Sequence, residues 1–253
     1  MDHLSPELIL AFFEVFPLKT LIAAQGVNKQ WRSLVPKTTM LPARRKLYDL
    51  YHVAIVSPAF LANRAVLVQK LVPFDRSAFL ATLEVHGRTL PDEFRCWILE
   101  WPAKAVIGWT WPGLDPYFNM GNEMWKPYGS NSLSAEDRQG IEPMFFCYPP
   151  DGNPYPAETE KNEWGIDLET VDLPDWDAHL QIVLVGGMHI WYHGCTVYTI
   201  LIADKTKPLL HGTVHTLDGQ FIHGEACLVA SDWIQWLRKE LEKMDENMRV
   251  QQQ

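Results

Sequence analysis

Cysteine is scarce in this chain: Cys96, Cys147, Cys195 and Cys227 are the four in 253 residues, far apart and with no Cys-x-x-Cys pair. That excludes a disulfide scaffold or a zinc ribbon as the source of stability and fits inert thiols in a reducing compartment. No Asn-x-Ser/Thr sequon occurs, so no glycan acceptor marks a secreted surface. Basic charge is in deficit, with 22 Lys and Arg against 31 Asp and Glu, a net charge of -9 and a pI near 5.4. Nucleic-acid binders carry a basic field, so nucleic acid is not an expected partner. No apolar run is long enough to span a bilayer: the stretch from Leu8 is interrupted by Glu14 and stopped by Pro17. Its flank of Asp2, His3 and Glu7 is also not the basic leader of a signal peptide. The expectation is a soluble cytosolic or nuclear protein with no membrane partner. Also missing are a Gly-x-Ser-x-Gly elbow and a glycine-rich phosphate loop. No catalytic residue and no cofactor is therefore expected.

Apolar and aromatic residues are plentiful instead, at 47% hydrophobic with eleven tryptophans. A chain this long has room for one small helical module and one larger domain with a proper core. The N-terminal stretch is the most apolar. Between Pro6 and Phe16 stand Leu8, Ile9, Leu10, Ala11, Phe12, Phe13, Val15 and Phe16, with only Glu7 and Glu14 polar. Ser5 is placed to cap this helix, Pro6 suits its first position, and Pro17 stops it. Two short helical patterns follow, Leu18 to Gln25 and Asn28 to Val35, contributing Leu21, Ile22, Val27, Trp31 and Leu34. Roughly thirty residues in three helices cannot bury so much apolar surface unaided. Either the remainder of the chain covers the excess or another protein does.

Leu-x-Pro-Glu-Leu-Ile, then Pro-Leu-Lys-x-Leu, then Val-x-x-x-Trp-Arg-x-Leu run without a gap through residues 4 to 34. This pattern resembles an F-box. It departs from the family at Ser5, where a proline is usual, and at Asn28, where cysteine is frequent. The resemblance implies docking onto a Skp-type adaptor and, through it, onto a cullin-RING (SCF) ubiquitin ligase. It assigns the adaptor interface to Leu4, Pro6, Leu8, Ile9, Phe12, Phe16, Val27 and Trp31. The bland alternative is a helical subdomain packed on its own chain.

Beyond Trp31, Pro36 to Pro42 reads as a linker, which places an F-box over residues 1–40 and an α+β client-binding domain over 41–253. Helices are expected from Ala43 to Val56, Phe60 to Val72, Arg76 to His86 and Thr89 to Leu99, the last with Phe94, Trp97 and Ile98 as its buried stripe. A proline- and tryptophan-dense connection follows, with one short strand expected from Ala105 to Trp111 that puts Trp109 and Trp111 on one face. Met144 to Tyr148 is a candidate strand. From Pro149 to Ala178 nine carboxylates face one lysine, a net charge of -8 in a proline-interrupted surface loop. Strand chemistry returns at Leu180 to Val185, His189 to Tyr192, Thr196 to Ala203 and Leu209 to Thr216, punctuated by Gly186-Gly187, His193-Gly194 and Asp204-Lys205. An antiparallel meander is the expected sheet. A helix from Ser231 to Met244, capped by Ser231 and burying Trp233, Trp236, Leu237 and Leu241, closes the fold. The fold class expected is α+β: three N-terminal helices, then an antiparallel sheet flanked by helices.

Leu90-Pro91-Asp92-Glu93-Phe94 and Val229-Ala230-Ser231-Asp232-Trp233-Ile234-Gln235-Trp236-Leu237 are similar to short motifs of the Smi/Knr domain of the SUKH superfamily. The similarity would cover about residues 75–245, and it implies a scaffold or regulator that binds proteins without catalysis. His189 and His193, like His211 and His215, are four apart, but on a strand that spacing is roughly 13 Å, too far for one ion. No metal is expected. Trp109, Trp111, Trp164 and Trp176 are candidate client-binding aromatics, against the plain alternatives of core packing for the first pair and a solvated loop for the second. A hydrolase or sugar-binding protein using the aromatic layer is a third reading from another class.

Overall fold

The computed structural model describes residues 4–84, 88–119, 128–134, 181–190, 195–218 and 226–251. Its helices begin where local chemistry supplies a cap. Helix α1 (Pro6–Val15) starts at Ser5, whose hydroxyl accepts the Leu8 N–H, and Pro6 takes the first helical position. Helix α3 (Lys29–Leu34) starts at Asn28, whose Oδ1 accepts the Trp31 N–H at 2.8 Å. Helix α5 (Pro58–Gln69) is capped by Ser57, and α6 (Arg76–Leu83) by Asp75. Between α1 and α3, helix α2 (Leu18–Ala24) has Pro17 at its cap position and no side-chain cap of its own.

Glu100 supplies what Pro17 cannot. It ends helix α7 (Asp92–Glu100), and its Oε2 accepts the Leu18 N–H at 2.7 Å. The same carboxylate is held in a fork by Arg44 of α4 (Pro42–Ala54), with Nε and Nη2 each 2.7 Å from an oxygen. That charge-assisted contact holds the Arg44 guanidinium above its already high range. One carboxylate therefore ties α2, α4 and α7 together. Residues 36 to 42 are accordingly not a loose linker. Val35–Lys37 form a 3-10 turn, Val35 and Thr38 are buried, and the Thr38 carbonyl accepts from Arg45. A single hydrophobic core runs from Ile9 and Phe13 through Leu47, Leu50 and Trp97 to Trp233 and Leu241.

Among the described residues the sheet is six-stranded, antiparallel throughout and ordered as in the sequence: β1 (Tyr117–Asn119), β2 (Tyr128–Ser130), β3 (Ile182–Ile190), β4 (Cys195–Ile202), β5 (Val214–Asp218) and β6 (Ala226–Ala230). The α+β class and the antiparallel meander are as the residue pattern implies. Several details are not. Gly186-Gly187 is no turn: β3 runs through it with a bulge, joining the two strands expected at Leu180 to Val185 and His189 to Tyr192. The glycine is there for β2, because a Cβ on Gly186 would lie 2.5 Å from the Ser130 carbonyl. Leu209 to Gly212 is turn, and β5 begins only at Val214. Ala105 to Trp111 forms no strand; Ala103–Ala105 is a 3-10 turn closed by the Trp101 indole N–H on the Ala105 carbonyl. Strands β1, β2 and β6 lack a strong alternating pattern of their own and are formed by pairing. The expected strand at Met144 to Tyr148 and the acidic loop from Pro149 to Ala178 lie outside the described residues.

Both faces of the sheet are apolar. Val183, Val185, Leu201, Ala203, Val214 and Ala230 enter the main core, while Ile182, Ile200 and Ile202 form a second cluster with Leu184, Tyr198 and Leu210. Helix α8 (Trp233–Gln251) is capped by Asp232, which accepts the Gln235 N–H at 2.8 Å, one residue later than the expected cap at Ser231. Ser231 serves the same start from outside, donating both its N–H and its hydroxyl to Gln235 Oε1. Further along α8, Asp245 accepts the Ser57 hydroxyl and the Ala59 N–H, capping α5 from a distance.

Two stability experiments follow from these contacts. Glu100→Gln leaves the Arg44 guanidinium, 12% exposed, without its counter-charge; about 2–3 kcal/mol should be lost, read as a lower urea midpoint at constant slope. His215 gives an acid-side signature. The Thr213 hydroxyl spends its proton on the Leu210 carbonyl at 2.6 Å, so it accepts from His215 Nε2 at 2.9 Å, leaving Nδ1 bare and without a partner among the described residues. Burial pushes this imidazole down to about 4. The unfolded chain then gains a proton below about 6.5 that the folded chain refuses, so stability should fall as pH drops from 6.5 towards 4, by roughly 2–4 kcal/mol. His215→Leu should flatten that part of the pH–stability curve in urea titrations.

Candidate functional site

Periodicity cannot choose the inner face of α1, because nearly every residue is apolar; packing does. Trp31 of α3 sits edge-on to Phe13 at 5.2 Å, and Phe16 lies 5.9 Å from the same ring. Phe13 and Ile9, at 1% and 2% exposure, are thereby turned into the core. The opposite arc is left bare. Leu4, Leu8, Phe12 and Val15, spaced by four, four and three residues, form one exposed stripe, joined by the exposed Val27 after α2. Exposure rises from 39% at Leu4 through 53% at Leu8 and Phe12 to 75% at Val15.

Of the eight residues assigned to an adaptor interface, the structure brings Leu4, Pro6, Leu8, Phe12 and Val27 to the surface. Phe16 and Trp31 are half-buried at its edge, packed against the core. Ile9 is a core residue and has no surface to offer. Val15, the most exposed of the stripe, was absent from the assigned set; its spacing of eleven from Leu4 is the signal that finds it. The polar rim is mixed. Glu7 and Glu14 are exposed on α1, and Lys19, Lys29 and Arg32 on α2 and α3. Hydrogen bonds from its own backbone and from Ser5 hold the Glu7 carboxyl below the usual carboxylate range. Arg32 Nε donates to the Gln25 carbonyl at 3.1 Å, and the Gln25 amide joins Tyr48 and His52 of α4, so the far end of α2 is fixed as firmly as its start.

The aromatic candidates separate. Trp111 is core: it is 1% exposed, meets Trp97 edge-on at 4.9 Å and carries the Arg76 guanidinium 5.2 Å above its ring. It cannot contact a client. Trp109 is half-buried at the surface with the Lys70 ammonium 4.7 Å over its ring. Trp164 and Trp176 lie outside the described residues.

Among the described residues, no group of three or more His, Cys, Asp or Glu side chains is arranged to hold a metal ion. His211 does not converge with His215 on one site; its Nε2 lies 2.8 Å from the Thr89 carbonyl. His189 contributes backbone to β3, and His193 lies outside the described residues. Cys96 is half-buried and free, and burial pushes its thiol up to about 12, which keeps it protonated and unreactive at neutral pH. No single described helix is long and apolar enough to cross a membrane.

The chain matches no family model, no curated protein and no solved structure. The division of α1 into an inner and an outer arc is directly measurable. Ile9→Ala should cost about 2–5 kcal/mol by removing core volume, whereas Leu8→Ala should change stability by less than about 0.5 kcal/mol. Urea unfolding of the two variants side by side reads the difference.

Proposed function

We propose that this protein is a substrate-receptor subunit of an SCF-type ubiquitin ligase. Its first three helices dock onto a Skp-type adaptor, and its α+β body presents a protein client. The observation that carries the reading is the bare apolar stripe of Leu4, Leu8, Phe12 and Val15 with Val27, on helices whose sequence has the F-box pattern. Apolar side chains at regular helical spacing, exposed among the described residues, are what a helix-groove contact needs. The rest of the fold supports a rigid presentation of that stripe, since α2 is pinned at both ends by Glu100, Tyr48 and His52.

In this role the chain performs no bond chemistry. Holding a client lysine near a ubiquitin-charged enzyme raises its effective concentration, and the transfer belongs to the partner's active site. Rigidity matters because a mispositioned client loses that advantage.

A scaffold or regulator of the Smi/Knr type is the second reading. One observation favours it: the two segments that carry that similarity meet in space, Phe94 packing on Trp233 at 4.8 Å. Such a protein would bind partners through its α+β body without an adaptor.

Leu8→Asp combined with Phe12→Asp separates the two. Both positions are half-exposed, so the urea midpoint should stay within about 1 kcal/mol of the parent. Co-purification with a Skp-type adaptor should be lost. An adaptor that still co-purifies with the doubly charged variant, or never associates with the parent protein, would sink the ligase reading.

A further inference from the structure

Ser-Pro occurs twice in the chain, at Ser5-Pro6 and Ser57-Pro58. Each serine caps a helix whose first residue is the proline. Their surroundings are opposite. Ser57 is 4% exposed, caps the Phe60 N–H and donates to Asp245 at 2.8 Å, so its hydroxyl is sealed between α5 and α8. Ser5 is exposed, as are Leu4, Pro6, Glu7 and Leu8 around it. Its Oγ accepts the Leu8 N–H at 3.4 Å, near the upper limit for a hydrogen bond.

We propose that Ser5 is a phosphorylation site for a proline-directed protein kinase and that phosphate there closes the α1 stripe to its adaptor. The second half rests on the adaptor-docking reading above. Three features suit Ser5 to such an enzyme. Its backbone is already extended, at φ -65° and ψ 150°, as a kinase cleft requires. The next residue presents a substituted nitrogen in a trans peptide, the feature that proline-directed enzymes select. Only the first turn of α1 has to loosen for Pro6 to Leu8 to enter the cleft, and a helix end is the least costly segment to open. In the transfer, Ser5 Oγ forms a bond to the γ-phosphorus of ATP while the bond from that phosphorus to the β,γ-bridging oxygen breaks. ADP leaves, and the hydroxyl proton passes to the base of the kinase.

The consequence follows from where the charge arrives. A phosphoserine brings about two negative charges to the start of α1, where the helix dipole favours it and the Leu8 N–H, which already donates to Ser5 Oγ, stays within its reach. Glu7 opposes it as a like charge. The helix itself therefore persists. The apolar stripe does not stay usable, because the phosphate stands next to Leu4 and one turn from Leu8, and a partner covering those residues would have to desolvate it. Docking and phosphorylation then exclude one another, so bound adaptor should also protect Ser5 from the kinase.

The test uses the full chain with a mitogen-activated-type kinase, ATP and purified Skp-type adaptor. Mass spectrometry should find phosphate on Ser5 and none on Ser57, and Ser5→Ala should take up none. Phosphorylated protein should bind the adaptor at least about ten-fold more weakly than the parent, with no fall in its thermal midpoint. Excess adaptor should slow the labelling of Ser5. The site is overturned if Ser5 stays unmodified while a Ser-Pro control peptide is labelled. The regulatory step is overturned if phosphorylated protein binds with parental affinity. Failure of the docking reading is seen separately, as a parent protein that does not bind adaptor even when Ser5 is labelled, and the regulatory step falls with it.

Discussion

The Glu100 carboxylate is the contact on which the arrangement of the N-terminal helices depends. A helix needs acceptors for its first amide groups, and α2, which follows Pro17, has no side chain of its own to offer one. Glu100 reaches it from 82 residues away, and it can be brought out of water only because Arg44 matches both of its oxygens. Asp245 does the same for α5, accepting the Ala59 N–H beside the Ser57 cap. Two helix starts are thus completed by residues of α7 and α8. Lys46, held between Glu93 and Asp232, adds a third tie from α4 to the starts of the same two helices. The helix that follows the α1 stripe is therefore fixed by Glu100, a residue well outside the first three helices.

Behind these polar ties stands an aromatic column. Phe74, Trp111, Trp97, Trp233 and Trp236 follow one another with ring centroids 4.7 to 5.7 Å apart, most of them edge-on or tilted as ring quadrupoles favour. Arg76 closes one end, donating to the carbonyls of Ile98, Leu99 and Trp101 while lying over Trp111. A cation at the last carbonyls of α7 complements the negative helix end, and burial lowers the Arg76 pKa. Trp density thus serves packing between the helical layer and the sheet. Of the two candidate client-binding tryptophans among the described residues, Trp109 and not Trp111 keeps a half-exposed position.

How much of this the chain reveals beforehand depends on the range of the interaction. Caps at Ser5, Asn28, Ser57 and Asp75 act over two or three residues, so the starts of α1, α3, α5 and α6 are visible in the sequence to within a residue or two. Glu100 and Asp245 act over 82 and 188 residues and leave no local trace, which is why residues 36 to 42 look like a linker. Gly186-Gly187 looks like a turn because the reason for glycine, the Ser130 carbonyl, comes from another strand. For the candidate site the limit lies in α1 itself. A helix apolar on all sides declares that something covers it, but only the positions of Trp31 and Phe16 settle that Ile9 and Phe13 go inward while Leu8 and Phe12 do not.

The α1 stripe is not the only bare apolar surface. Leu61 and Val66 of α5 are each 54% exposed, and Val56 before that helix is 71% exposed, so exposure by itself does not select a docking face. The face proposed for docking comes from the resemblance to an F-box, which falls on α1 to α3 and not on α5. Energetics add a constraint. Five side chains, each about half-exposed, supply on the order of 5 kcal/mol when covered. Association costs roughly 4 kcal/mol or more before side-chain ordering. The stripe alone therefore makes at best a weak contact, and a stable complex must also engage the rim. The exposed cations there, Lys19 and Lys29 with Arg32 beside them, stand out in a chain whose net charge is -9. In the proposed docking, a groove edged by carboxylates would use both the stripe and these cations, in a rim that also carries Glu7 and Glu14, because opposite charges at the edge speed encounter and fix register while the apolar centre supplies the affinity.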